Sequence, residues 1–133
     1  GQFDGLSPEW VVLMIGVNNI NAGGETGEET VEGTKAVVAA LREVVPDSKV
    51  LMLGSFPAGK SADDPRRLEI ELLQRGIGQI ADNRFVFHED LSHLFVDQDG
   101  IQNANMSADQ IHITPAGQDA WMKALEPRLT KGR

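Results

Sequence analysis

The sequence predicts an α/β fold in which parallel strands alternate with helices. Short apolar runs, several of them ended by glycine or asparagine, alternate along the chain with stretches whose apolar residues recur at helical spacing. Parallel neighbours need crossover helices, so this order of elements indicates a layered sheet. The chain has 133 residues, 41% of them apolar, which is enough to bury one core. We therefore predict a single domain over residues 1–133.

The first half of this pattern begins with a strand. The apolar run from Trp10 to Ile15 is typical of a parallel strand covered on both faces, and residues 16–24 predict a loop rich in glycine and asparagine. The helix that follows carries apolar residues at helical spacing from Val31 to Val44. Thr26 or Thr30 is its expected N-cap.

The second half repeats the alternation. Lys49 to Gly54 predicts the second strand, Pro65 occupies the first turn of the next helix, and Arg84 to Phe87 predicts a short third strand. Residues 88–108 are rich in loop formers. Thr114-Pro115 begins the last helix as N-cap and first residue. The residues expected on its buried side are Ala116, Ala120, Trp121, Ala124 and Leu125.

Composition excludes several classes of protein. Twelve Lys and Arg against 20 Asp and Glu give a net charge of −8, which argues against a nucleic-acid partner. No apolar run approaches the ~20 residues of a membrane-spanning helix, so we expect a soluble chain, cytoplasmic or secreted. The absence of cysteine excludes disulfides, thiolate nucleophiles and cysteine-ligated metals.

Two polar motifs lie where an open α/β sheet gathers its reactive groups, beyond the carboxyl ends of strands. In the motif from Asp109 to His112, the carboxylate can fix one imidazole tautomer and leave the other ring nitrogen as a general base. The alternative is an Asx-type turn beside a solvated histidine. In the other motif, Gly16 permits a sharp turn and Asn18 offers an amide donor for an oxyanion. The alternative is an ordinary strand-ending turn.

Taken together, the motifs resemble those of a known family. Val12 to Asn19 is similar to the third conserved block of SGNH (GDSL-type) hydrolases, a Gly-x-Asn after a buried strand. Asp109 to Gly117 resembles the fifth block, an Asp-x-x-His followed by a helix. Pro46 to Pro57 and the Asp99-Gly100 turn resemble catalytic subunits of platelet-activating-factor acetylhydrolase and related bacterial esterases. The resemblance implies a flavodoxin-like three-layer α/β/α sandwich around a parallel sheet.

The resemblance also implies a chemistry and a set of roles. The reaction is serine-dependent ester hydrolysis without a metal or an organic cofactor, and the substrate is a small ester such as an acetylated carbohydrate or lipid alcohol. His112 is then the general base, Asp109 its orienting carboxylate, Asn18 an oxyanion donor and Gly16 the supporting turn. The chain departs from the family at three nearby positions, which are Val17 for Thr, Gln110 for Gly and Gln118 for an aromatic residue.

The nucleophile block of the family has no counterpart here. Gly-Asp-Ser does not occur in the sequence, and Ser55, which follows a strand, is not predicted to reach His112. We expect a partial domain that runs from the third block to the carboxyl terminus, with its first strands and its nucleophile absent from this chain. The strand from Val11 to Ile15 should pair with that from Val50 to Leu53 on one side. The missing upstream segment or a second copy should cover the other. The alternative is a non-catalytic fragment or remnant that persists by packing against a partner or a second copy.

Overall fold

The computed structural model describes residues 3–131 and shows a parallel sheet with helices on both faces. The elements are β1 (Trp10–Leu13), α1 (Val17–Asn21), α2 (Gly27–Val44), β2 (Lys49–Met52), α3 (Pro65–Ile80), β3 (Val86–His88) and α4 (Pro115–Thr130), with a 3-10 turn at Ser92–Leu94. The strands pair in the order β1-β2-β3, and both pairs are parallel. The predicted α/β class is confirmed. No helix within this range has the length and apolar character needed to cross a membrane.

The strands divide their side chains between two cores. Val50 and Met52 of β2 face a cluster formed with α2 and α3, whereas Leu51 and the following Leu53 face a cluster formed with Leu125 and its neighbours on α4. This alternation follows from the two-residue period of a strand. Since both faces of β2 are covered, the fold has three layers, and the sheet is the middle one.

The helix starts follow local signals in the sequence. Thr26 is the N-cap of α2, and its hydroxyl accepts the Glu29 amide while the Glu29 carboxylate accepts the Thr26 amide. Asp64 caps α3 ahead of Pro65, and Thr114 caps α4 ahead of Pro115. The predicted starts of α3 and α4 are therefore confirmed, and Thr26 is the cap of α2. Each such cap stabilises its helix by about 1 kcal/mol.

Several element boundaries and one burial assignment differ from the prediction. β2 ends at Met52, two residues earlier than predicted, because Gly54 turns the chain with φ 61°. β1 ends at Leu13, and the predicted loop of residues 16–24 contains the short helix α1, because Ile20 is buried under α2 and α3. β3 begins at Val86, two residues later than predicted, because the Asp82 carboxylate accepts the backbone amides of residues 84–86 and holds them in a turn. On α4, Ala116 is exposed where burial was predicted, since it lies in the first turn beyond the edge of the core.

The strand β1 has a single neighbour within the described chain. The Glu9 and Leu13 carbonyls accept the amides of Lys49 and Leu53, so the alternate backbone groups at residues 10, 12 and 14 point away from β2. The prediction that this strand pairs with the one containing Val50 is confirmed. Within residues 3–131 no strand pairs with the other edge of β1, and 36% of Val12 is exposed. That an upstream segment or a second copy covers this edge stays a prediction.

We predict opposite effects for two Gly→Ala substitutions. Gly54 follows β2 with φ 61°, and an added Cβ would lie 2.5 Å from Gln74 Oε1 and 2.7 Å from Ile77 Cδ1. Gly54→Ala should lower the free energy of unfolding by about 2–4 kcal/mol through backbone strain and overpacking. Gly33→Ala, on an open face of α2, should raise it by about 0.5–1 kcal/mol. Urea denaturation measures both, and equal values for the two variants would contradict this account of the turn.

Candidate active site

Asp109 and His112 form a hydrogen-bonded pair on the loop before α4. His112 Nδ1 lies 2.6 Å from Asp109 Oδ2, and the backbone amides of Ile111 and His112 donate to Asp109 Oδ1 at 3.0 and 2.7 Å. An ionised carboxylate only accepts hydrogen bonds, so the proton of this contact belongs to Nδ1. Nε2 is then the ring nitrogen of neutral His112 that keeps a lone pair.

The pair is open to solvent. The side chain of His112 is 80% exposed and that of Asp109 is 56% exposed. The hydrogen bond from the His112 imidazole, together with those from the two backbone amides, holds the pKa of the Asp109 carboxyl well below its usual range. Asp109 therefore stays ionised, and the orientation of the ring is set over the whole range of neutral pH.

The turn that brings the pair together depends on a left-handed residue. Gln110 has φ 67°, a conformation that favours glycine, the residue that the resemblance places at this position. Its carbonyl accepts the Gly59 amide at 3.2 Å and Gln102 Nε2 at 3.5 Å. Gln102 Nε2 also donates to the Pro57 carbonyl at 2.6 Å. The turn is thereby fastened to the loop that follows β2.

Two polar side chains of α3 donate hydrogen bonds to the backbone carbonyls of that loop. Gln74 Nε2 donates to the carbonyls of Leu53 and Ser55 at 3.1 and 2.9 Å, and Arg67 donates to those of residues 58 and 59 at 2.6 and 2.9 Å. No motif in the sequence predicts this role for either residue. The signal that could reveal it is their place on the buried stripe of α3, because such a stripe ordinarily carries apolar residues. Polar residues on such a stripe indicate backbone groups that need donors.

Gly16 and Asn18 lie on the neighbouring turn, at the end of β1. Gly16 is the N-cap of α1 with φ 113°, and Leu73 Cδ2 would lie 2.8 Å from a Cβ added there. The Asn18 side chain is exposed in the first turn of α1. A gap of about 40 Å³ lined by Met14, Val17 and Phe56, among others, shows that this turn adjoins the loop after β2. Within residues 3–131, no hydrogen bond joins Asn18 to the His112 turn.

Ser55 and two other polar residues, His88 and Asp97, have structural partners. The Ser55 hydroxyl donates to the Phe56 carbonyl in a residue that is only 2% exposed. His88 is half-buried, its Nε2 lies 2.8 Å from Gln74 Oε1, and burial lowers its pKa. The Asp97 carboxylate accepts the amides of the turn that it begins. No group of three or more His, Asp or Glu side chains in the described part of the chain is arranged to hold a metal ion.

A cleft of about 530 Å³ lies between α3 and the loop of residues 90–100, and its walls include Arg67, Gln74 and His88. Neither Asp109 nor His112 lines it. The pair lies outside this cleft, and both of its side chains are largely exposed.

An imidazole oriented by a carboxylate, beyond the strand ends of a parallel sheet, is an arrangement that α/β enzymes of acyl transfer use. The family comparison agrees with this class. The chain belongs to the GDSL-like lipase/acylhydrolase family, whose model matches residues 1–120.

Curated relatives include acetylhydrolase subunits of vertebrates. The chain is 26% identical over 131 residues to human platelet-activating factor acetylhydrolase IB subunit alpha1, with 98% of this chain and 55% of that protein aligned. It is also 26% identical over 128 residues to the rat alpha2 subunit, with 94% and 53% aligned. The chain thus spans about half the length of the curated relatives it matches.

Solved structures share the fold. A Streptococcus pneumoniae protein described as a platelet activating factor superposes with a TM-score of 0.77 at 19% identity, over 91% of this chain and 59% of that one. An acetylxylan esterase from Geobacillus stearothermophilus gives 0.70 at 19% identity, over 92% and 60%. Catalytic mutants of that esterase replace a serine, an aspartate and a histidine by alanine, and its aspartate precedes its histidine by three positions.

We predict that the His112→Ala substitution raises the pKa of Asp109 towards the ordinary value for Asp, because the imidazole makes the strongest of its three hydrogen bonds. A carboxyl whose pKa is depressed by folding stabilises the fold fully above the unfolded pKa of about 3.9, and this contribution is lost as the pH falls through the lower folded value. Side-chain carboxyl ¹³C shifts, followed by NMR in acid, measure the change.

Asp82 provides the internal control for this titration. Three backbone amides lower its pKa to about 2, and His112 takes no part in that turn. Its midpoint should be the same in both chains. Coincident Asp109 midpoints in wild type and His112→Ala would contradict the geometry of the pair.

Proposed function

We propose that this chain carries the acid–base part of a serine ester hydrolase site. The observation that carries the proposal is the 2.6 Å contact between Asp109 Oδ2 and His112 Nδ1, which leaves Nε2 as a base on an exposed ring. His112 is the general base, Asp109 orients it, Asn18 donates to the oxyanion, and Gly16 shapes the turn that presents Asn18.

The proposed reaction proceeds in two acyl transfers. His112 Nε2 takes the proton of an attacking serine hydroxyl, and the tetrahedral oxyanion that forms accepts a hydrogen bond from the Asn18 amide. The imidazolium then gives that proton to the leaving alcohol. Water repeats the sequence on the acyl-enzyme, with His112 again as the base. Asp109 remains ionised throughout and stabilises the imidazolium.

The relatives support these roles and suggest a substrate class. In the G. stearothermophilus esterase, the mutated aspartate and histidine have the three-residue spacing of Asp109 and His112, and the third catalytic mutant removes a serine. The names of the relatives refer to acetylxylan and to platelet-activating factor, so we infer an acetyl ester of a carbohydrate or a lipid alcohol as substrate.

We further propose that the serine comes from a segment outside these 133 residues. Two features support this. Ser55 is buried and bonded to Phe56, and the walls of the cleft between α3 and residues 90–100 include neither member of the Asp109–His112 pair. A segment placed beside β1 would supply a nucleophile at the open edge of the sheet.

The esterase activity of the 133-residue chain tests whether its nucleophilic serine lies on another segment. The 133-residue chain should hydrolyse p-nitrophenyl acetate no faster than its Asp109→Ala, His112→Ala double variant, because an exposed imidazole without a serine is a poor acyl acceptor. Addition of a polypeptide that carries the Gly-Asp-Ser strand of a family member should restore turnover that requires His112.

Two results would decide against the proposal. Saturable, His112-dependent turnover by the chain alone, with an acyl adduct on Ser55, would place the nucleophile inside these residues. Stable binding of the added strand without any turnover would instead favour the alternative of a non-catalytic remnant. The Ser55→Ala variant is the matched control for the first result.

The open edge of β1 indicates where the completing strand lies. Val12 and Met14 are exposed, and the indole N–H of Trp10 is buried without a partner in the described chain. Burial of an apolar side chain contributes about 1.5–3 kcal/mol, a large share of a stability of about 5–15 kcal/mol. We propose that the upstream segment, or a second copy when it is absent, pairs with this edge.

Proline substitutions on β1 distinguish the hydrogen bonds of its open edge from those that it makes with β2. The amide of residue 12 points away from β2, so Val12→Pro should block a strand added at the open edge while the β1–β2 pair remains. Sedimentation at micromolar concentration should show association for the wild type and a folded monomer for Val12→Pro. Val11→Pro, which breaks the pair with β2, should unfold the chain. A folded wild-type monomer of 14.4 kDa would contradict the proposal.

A further inference from the structure

Gln102 is a buried amide that joins two loops of the candidate site. It is 8% exposed, and its Nε2 donates to the Pro57 carbonyl at 2.6 Å and to the Gln110 carbonyl at 3.5 Å. Its own backbone amide donates to the Lys60 carbonyl at 2.9 Å. The side chain is therefore held at both ends, and its donor is directed at the turn that carries His112.

Gln110 is the residue of the His112 turn whose backbone conformation is strained. As a residue with a Cβ and φ 67°, it occupies a region that side chains other than glycine rarely adopt. Its carbonyl is fixed by two donors, the Gly59 amide and Gln102 Nε2. Because Gln110 lies between Asp109 and the amides of Ile111 and His112, a change in its φ and ψ redirects those two amides relative to Asp109 Oδ1 and moves the His112 ring relative to Asp109 Oδ2.

The Gln102 side chain performs two tasks that an apolar side chain of the same length cannot. Its Nε2 donates to the buried Pro57 carbonyl at 2.6 Å, and it also reaches Gln110, the strained residue between Asp109 and His112. Gln102 Oε1 is buried without a hydrogen-bond partner within residues 3–131, which is a cost of placing an amide here. The contact with Gln110 links this amide to the position of the His112 ring.

We propose that Gln102 is a positioning residue that acts through Gln110 to keep the His112 ring on Asp109. The inference rests on the proposed role of His112 as general base. It assigns to Gln102 no contact with substrate. Its effect is to maintain the imidazole with the proton on Nδ1 and the lone pair on Nε2.

The test compares Gln102→Met with Gln98→Met, an exposed residue of the same loop. Ring ¹⁵N shifts of His112, recorded in alkaline buffer where imidazoles are neutral, report which nitrogen carries the proton. In Gln102→Met the ratio of the Nε2–H to the Nδ1–H form should rise by about 2- to 10-fold, the factor that corresponds to one neutral hydrogen bond. Gln98→Met should leave this ratio unchanged.

The same substitution in a Gln110→Gly background distinguishes an effect of Gln102 on the His112 turn from a general loss of stability. In Gln110→Gly the left-handed conformation carries no side-chain strain, so Gln102→Met should shift the His112 ratio much less there than in the wild-type background. An equal shift in both backgrounds would overturn the proposal, as would an unchanged ratio in Gln102→Met. Gln102→Glu, whose ionised carboxylate cannot donate, serves as the alternative variant if Gln102→Met does not fold.

This readout does not depend on turnover. A shift of the His112 ratio in a chain that shows no reconstituted esterase activity would support the role of Gln102 and count against the proposed function. Reconstituted, His112-dependent activity that is equal in wild type and Gln102→Met, with an unchanged ring spectrum, would leave the proposed function intact and remove Gln102 from it.

Discussion

The fold depends on the capture of backbone carbonyls by two side chains of α3. The chain that leaves β2 is irregular yet buried from residue 53 to residue 59, so its carbonyls have no neighbouring strand to pair with. Arg67 and Gln74 donate to four of them. Each buried carbonyl left without a donor would cost about 1–3 kcal/mol, a large fraction of the stability of a small domain. The loop can be irregular because α3 supplies these donors.

Hydrogen bonds from this loop fix the geometry of the candidate site. Gly59, whose carbonyl is held by Arg67, turns its amide towards Gln110, and Gln110 lies between Asp109 and His112. The Asp109–His112 pair is exposed, but successive hydrogen bonds through Gln110 and Gly59 connect its turn to Arg67 on the buried face of α3. A solvent-exposed imidazole would otherwise sample many orientations, and its tautomer would not be fixed.

Local chemistry explains what the sequence could predict. Caps such as Thr26 and Thr114 bond within one turn, and the carboxylate and imidazole of Asp109 and His112 are three residues apart, so short motifs contain the interaction. The family model covers residues 1–120 and agrees with the resemblance that those motifs suggested. The roles of Asp109, His112 and Asn18 stay predictions.

Tertiary contacts explain what the sequence could not predict. The helix α1 packs on the core through the buried Ile20 and the partly buried Val17, and five residues are too few to display a helical period. Gln102 and Gln74 act on carbonyls 8 to 45 positions away along the chain, so no local pattern contains their partners. The departure at Gln110 was visible as a missing glycine, but its φ of 67° and its two donors depend on the folded loop.

Neutron diffraction from a deuterated crystal of the chain, grown in alkaline buffer, distinguishes the two tautomers of His112 because it locates the protons themselves. We predict a deuteron on His112 Nδ1 facing Asp109, none on Nε2, and the Gln102 amide deuterons directed at the carbonyls of Pro57 and Gln110. A deuteron on Nε2 with a bare Nδ1, or a Gln102 amide turned so that its oxygen faces those carbonyls, would contradict this prediction.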